Sequence, residues 1–389
     1  MPAAELARVA DAGPRARTLV ALDPDHFDAI RRAVALLFRV AHEESFQREV
    51  DADAGLVARH RAKNFGVFMG YDFHVTPEGP RLIEINTNAG GALLNGLHTA
   101  SLLDPEKLAC ACRELLPVEA VEERILASFR AELAAARPGA VLRTVAIADE
   151  HPEAQFLRSE FELVRALFAR AGVEAAICDT SALRHEAGAL RLGERCIDLV
   201  YLRDTDFLLE APRSRALREA WLAGDVVVTP SPREHHLLAN KRRLAIFSSR
   251  EVLLRFGVAE ADAAFLAQVV PEARPLEALG LEEAWRTRRT WVFKPAAAFA
   301  SKAVYRGDKI SRRKLEEIFA AGGFVAQRFA PPGEIQVATG EGLRAMKFDV
   351  RAYAYRDEIL LLGARAYEGQ VTNLRTPGGG FTAICVVRS

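Results

Sequence analysis

The alternation of apolar and polar positions changes period several times along the chain, and each change marks an element. Phe27, Ile30, Val34, Leu37, Phe38 and Ala41 recur at helical spacing behind Asp23 and Asp25, so residues 24–50 read as a helix capped by one of those aspartates. Val67 to Val75 and Arg81 to Asn86 alternate with period two and read as strands joined by Pro77-Glu78-Gly79. The glycine-rich Asn88-Ala-Gly-Gly follows, and residues 105–136 read as helical up to the stop at Arg137-Pro138-Gly139.

From Leu142 the pattern becomes strand, helix, strand: Thr144 to Asp149, Glu153 to Ala171, a break at Gly172, then Val173 to Cys178. That is a βαβ unit, the building block of a parallel sheet. Ile197 to Leu202 and Asp225 to Thr229 supply two further strands. After His235 come a helix following Lys241, a strand from Thr290 to Pro295, a helix over 311–320 and a strand from Phe324 to Phe329. The stretch from Lys347 to Val387 is β-rich, broken at Pro377-Gly-Gly-Gly. No internal repeat is evident.

Composition narrows the class. The 389 residues are 50% hydrophobic and 27% charged, which is globular and long enough for two or three domains. Lys+Arg and Asp+Glu are both 52, so the net charge is zero and nothing in that balance suggests a nucleic-acid footprint or an attraction to acidic membranes. The basic runs Arg312-Arg313-Lys314 and Lys241-Arg242-Arg243 sit at expected helix starts and read as solvated faces. Cys110, Cys112, Cys178, Cys196 and Cys385 are odd in number and lack metal-ligand spacing, which fits a reducing compartment. With no apolar run of about 18 residues and no signal-peptide core, the expectation is a cytoplasmic protein with no membrane partner.

The hairpin carries the chemistry. A three-residue loop ending in glycine would pair Thr76 with Pro80, His74 with Leu82 and Asp72 with Glu84. Asp72, His74, Glu84 and Asn86 then share one face, and Phe73, Val75, Ile83 and Ile85 the other. Opposed carboxylates repel unless solvent dilutes their charge or a divalent cation removes it. An ordinary solvent-facing hairpin and a cation site therefore both stay open. A few oxygen donors suit magnesium, and the following glycines let backbone approach a ligand.

Asp72-(x)11-Glu84-x-Asn86 followed by glycine resembles the metal-binding signature of the ATP-grasp superfamily. The resemblance implies that Asp72 and Glu84 hold magnesium against ATP phosphates and that Asn86 holds a second ion. Asn240-Lys241-Arg resembles the family's first lysine, and Val292-Phe-Lys294-Pro295 its second. Val325-Ala-Gln327-Arg328-Phe-Ala resembles the hinge whose backbone meets adenine, with Glu334 for the ribose. Lys347, Asp349 and Arg351 share one strand face, as in the family strand that brings an arginine to the phosphates. Arg365, Asn373 and Arg375 continue that region.

Two departures stand out. The loop after Lys294 is rich in alanine where the family loop is rich in glycine, leaving Ser301 and Lys302 to compensate. Gly70 stands where many amide-forming members carry an arginine, a role that Arg365 or Arg375 would take. The hairpin precedes the lysines, an order that resembles circularly permuted members such as the glutathionylspermidine synthetase-like ligases.

The resemblance implies an α+β, circularly permuted ATP-grasp fold with a small α/β pre-ATP-grasp domain. Residues 1–100 would carry the metal hairpin, 101–140 a helical connection, 141–232 the α/β domain, and 233–389 the lobes with lysines and hinge. The implied activity is an ATP- and Mg2+-dependent ligase that activates a carboxylate as an acyl phosphate for attack by an amine. Its substrates would be small-molecule or peptide carboxylates and amines. A kinase-like phosphotransferase and a noncatalytic ATP-binding module remain as alternatives. Neither a Walker A sequence nor GxGxxG is present. Asp149, Glu150, Arg203 and Asp206, at strand ends, are either acceptor-site or structural residues.

Overall fold

The computed structural model describes residues 14–52, 54–102, 112–113, 118–296 and 303–388. Its largest sheet has eight strands and takes them from both ends of the chain. Across it run Gly333–Thr339, Arg15–Leu22, Gly380–Val387, Glu358–Tyr367, Gly342–Tyr355, Met69–Thr76 and Gly79–Asn86, with Cys112–Arg113 beside Gly380–Val387. Gly333–Thr339 also pairs with the first half of Gly342–Tyr355, so this end of the sheet curls back on itself.

Arg15–Leu22 lies parallel to Gly380–Val387, which brings the N-terminal helix onto the C-terminal strands. That helix, Pro24–His42, is capped by Asp23, whose side chain accepts from the Asp25 N–H at 2.8 Å. Phe27, Ile30, Val34 and Leu37 share one core with Val20, Leu22, Ile384 and Val386. The expected helix over 24–50 is in fact two, Pro24–His42 and Glu44–Val50. Glu43 between them is extended (ψ 135°), and the second helix stacks Phe46 on Phe247 at 5.5 Å.

Within the expected helix over 105–136, Val118–Ala136 is helical while Cys112–Arg113 is strand. Residues 103–111 and 114–117 lie outside the described residues.

The parallel sheet has the order Val227–Thr229, Leu199–Leu202, Thr144–Asp149, Glu174–Asp179. Helix Arg158–Arg170 covers it with Phe161, Val164 and Phe168. A meander of Leu183–Glu186, Ala189–Leu192 and Arg195–Cys196 was not expected, since strands this short carry almost no periodic signal.

A third sheet has the order Ala273–Pro275, Phe324–Arg328, Trp291–Pro295, Tyr305–Arg306. Beside it, helix Arg312–Ala321 is capped by Ser311 and pairs Arg312 with Glu316 and Glu282 on its solvated face.

Among the described residues no helix is long and apolar enough to cross a membrane. Cys178 and Cys196 are free thiols while Cys385 is disulfide-bonded, so the cysteines lend the expected reducing compartment no support.

Candidate active site

A cavity of about 700 Å³ lies where the three larger sheets meet. The hairpin forms its floor. Asp72 faces Glu84 as expected, but by a different route. The turn has two residues, not three, since Thr76 pairs with Gly79, Val75 with Pro80 and Phe73 with Leu82. A bulge at Ile83 then restores the expected opposition. The bulge turns Ile83 toward the cavity rather than leaving it on the apolar face, and frees its carbonyl. Gly79 takes the left-handed backbone, φ +113°, that the tight turn requires.

Asp72 is only 2% exposed and is the hub of an ion-pair network. Arg351, directly opposite on the next strand, grips it through Nε at 2.6 Å and Nη2 at 2.7 Å. Arg365 adds a contact at 2.9 Å and also binds Asp349 at 2.7 Å, whose other oxygen accepts from Thr372. Burial alone would raise the Asp72 pKa, but the two guanidiniums outweigh it and hold the carboxyl well below the usual range. Arg351 also fills the space beside Gly70, where an added Cβ would lie 3.4 Å from its Nε.

Lys294 ends the strand Trp291–Pro295 and is 5% exposed. Its ammonium donates to the Ile83 carbonyl at 2.9 Å and to Gln327 Oε1 at 2.7 Å. Burial lowers its pKa to about 8 against the opposing pull of Glu84. Lys241 Nζ stands 3.7 Å from Glu84, and its charge, with that of Lys294, keeps the Glu84 pKa low despite burial and Asp72.

Gln327 reaches the site through its side chain, which also donates to the Leu82 carbonyl at 3.1 Å. Its backbone is paired on both edges, with Ala273 and with Val292, so the expected backbone hinge for adenine is not free there. Arg328 lines the cavity while bound to Glu272 at 2.9 Å and lying over Trp291.

The far wall comes from the parallel sheet. Asp149, Glu150 and Arg203 line it from the carboxyl ends of adjacent strands, the usual ligand position in such sheets. Asp206 instead caps the Glu210 and Ala211 N–H groups and is structural. Arg375 and Asn373 line the mouth, with Arg375 over the Phe156 ring at 4.8 Å. Glu334 is exposed on the strand opposite Lys347, and Lys347 binds the Gly369 carbonyl. Neither lines the cavity. Ser301 and Lys302 lie outside the described residues.

The glycine-rich stretch after Asn86 serves packing more than ligand approach. A Cβ on Gly90 would meet Leu157 at 2.4 Å, and one on Gly91 would meet Phe381 at 2.2 Å. Glu160 accepts from the Gly91 and Leu93 N–H groups at 2.7 and 3.3 Å, filling the anion position at the start of helix Ala92–Leu102. Sequence reasoning missed Glu160. Its signal was a carboxylate on the apolar stripe it shares with Leu163, Val164 and Leu167.

Asp72, Glu84 and Asn86 fit a hard divalent cation by donor chemistry. The Asn86 amide donates to Asp72 at 3.0 Å and to Glu84 at 3.2 Å, so the three side chains converge on one point. Rotating that amide would present a third oxygen. Among the described residues no three His, Cys, Asp or Glu side chains cluster as a metal cage. Magnesium, which needs one or two carboxylates and takes phosphate and water besides, is the cation such a set suits.

No family model and no curated protein matches the sequence. Solved structures do. A glutathione synthetase-like effector from Globodera pallida, in its apo form, matches over 100% of this chain and 98% of its own, with TM-score 0.63 and 11% identity. A putative γ-glutamylcysteine synthetase from Methylobacillus flagellatus matches over 91% of this chain and 85% of its own, with TM-score 0.51 and 11% identity.

Proposed function

On an ATP-grasp fold, which is what this α+β chain has, we propose an ATP-dependent carboxylate–amine ligase. The observation that carries this reading is one cavity where the buried Lys241, Lys294, Arg351 and Arg365 meet a convergent oxygen set. Order along the chain supports a circularly permuted version, since the first and last strands are parallel neighbours and the hairpin precedes both lysines. The names of both similar structures, a glutathione synthetase-like effector and a putative γ-glutamylcysteine synthetase, accord with amide-forming chemistry.

In this mechanism Lys241 and Lys294 bind phosphate oxygens as point charges. Glu84 and Asn86, with Asp72 behind them, would hold Mg2+, which neutralises phosphate charge when bound. Arg351 and Arg365 stabilise the transferring phosphoryl group by position and charge. A substrate carboxylate oxygen attacks the γ-phosphorus and ADP leaves. The amine then attacks the acyl carbon, phosphate departs, and the amine's proton is released. The alternative to an acyl phosphate is a stable phosphorylated acceptor, as a kinase gives.

Purified protein is to be incubated with Mg·ATP and pooled carboxylates, with and without hydroxylamine. The ligase reading expects ADP and phosphate only with an acid present, and a hydroxamate when hydroxylamine is added. Substrate-stimulated ADP release with a stable phosphorylated product and no hydroxamate would overturn it in favour of a phosphotransferase.

A further inference from the structure

Arg203 is 7% exposed, lines the cavity, and forms no ion pair within 4 Å among the described residues. Its hydrogen-bond partners are neutral, the Asn88 amide oxygen and the Tyr201 hydroxyl, the latter at 3.1 Å, while the Glu160 carboxylate acts on it through space without an ion pair. Its Nε is buried without any hydrogen-bond partner. A buried guanidinium in this state lacks a hydrogen-bonded anion although carboxylates stand near it, and leaving a charged donor unsatisfied is costly.

Asp149 occupies the adjacent strand end. Leu202 pairs with Ala148 in register, and the Arg203 N–H donates to the Ala148 carbonyl at 2.7 Å, so the two side chains start side by side. Asp149 is 6% exposed, and among the described residues it accepts a hydrogen bond from the Glu150 N–H. Burial and the neighbouring acids push its pKa up to about 6 despite Arg203.

A cation and an anion thus stand next to each other at the mouth of parallel strands, both lining one cavity and not paired with each other. Such a pair is the complement of a group that carries a carboxylate and an ammonium on neighbouring atoms. We propose that Arg203 and Asp149 bind the zwitterionic head group of an α-amino acid, free or at a peptide end. The carboxylate goes to Arg203 and the ammonium to Asp149. Resting on the ligase reading, this names a substrate class for the wall opposite the phosphate-binding cations.

The decisive measurement is direct binding without nucleotide, so that a failure here is separate from failure of the ATP reading. Pooled L-amino acids, their carboxamides and their N-acetyl derivatives are titrated into wild-type protein by calorimetry and thermal shift. At least one free amino acid is expected to bind, and its carboxamide and N-acetyl forms should bind roughly ten- to a hundredfold more weakly. Arg203→Met should abolish the preference for acid over carboxamide, while Arg203→Lys keeps part of it. Both should retain wild-type Mg·ATP affinity, measured separately. No amino-acid binding, or equal binding of acid and carboxamide by wild type, overturns the proposal whatever the variants do. Retention of the acid preference in a folded Arg203→Met also overturns it. Loss of ATP binding in wild type would sink the ligase reading and leave this result standing.

Discussion

Asp72 and Glu84 oppose each other across the hairpin, yet their surroundings give their substitutions different consequences. Asp72→Asn leaves Arg351 without its buried carboxylate and Arg365 with Asp349 alone. Removing one partner of such a pair costs about 3–5 kcal/mol, so denaturant titration should show a large loss of stability. Glu84 is half-buried with a single lysine at 3.7 Å. Glu84→Gln should therefore shift stability by less than about 1 kcal/mol while weakening Mg·ATP binding about tenfold or more. Wild-type Mg·ATP affinity in Glu84→Gln would remove the hairpin from the cation site. Lys294 presents the reverse case, a buried ammonium that hydrogen-bonds the neutral Ile83 carbonyl and Gln327 and has no carboxylate in direct contact among the described residues. Lys294→Met should leave the free protein as stable or more so, yet lower nucleotide affinity roughly ten- to a hundredfold by calorimetry. A variant that binds ATP normally would exclude Lys294 from the phosphates.

At the scale of elements, Glu132 joins the helix Val118–Ala136 to the segment that enters the hairpin. Fully buried, it accepts from Asn64 at 2.9 Å and from the Phe65 N–H at 2.9 Å. Burial outweighs those donors and raises its pKa to about 7. The sign follows from proton binding. Between about pH 4.5, its ordinary value, and about pH 7 the folded state keeps a proton that the unfolded state has lost, so stability falls as pH rises through that window. The full effect is about 3 kcal/mol at most. Stability curves from pH 4 to 8 should show this slope in wild type and its loss in Glu132→Gln. An identical slope in both would assign it to other groups, Asp149 first among them.

For the whole molecule, the cavity is assembled from segments far apart in sequence: the hairpin, the Lys294 strand, the arginine strands and the parallel sheet. Mg·ATP should slow amide exchange in Gly79–Asn86 and Trp291–Pro295, and substrate should extend the protection to the loop after Leu202. Unchanged exchange in the hairpin on adding Mg·ATP would separate it from the nucleotide. Much of this was legible in the chain. Period-two alternation put Asp349 and Arg351 on one face, and strand–helix alternation gave the parallel sheet, because those signals are local; the opposition of Asp72 and Glu84 depends on a bulge that alternation does not show. Three-dimensional contacts decided the rest. Whether Asp72 is free or gripped by Arg351 depends on which strand pairs with Met69–Thr76. The backbone of Gln327 is consumed because its strand is interior to its sheet. Gly90 and Gly91 accommodate Leu157, Arg203 and Phe381 rather than a ligand. Residue spacing fixes what a strand presents on each face; which neighbour meets that face is set by long-range packing, to which local spacing is blind.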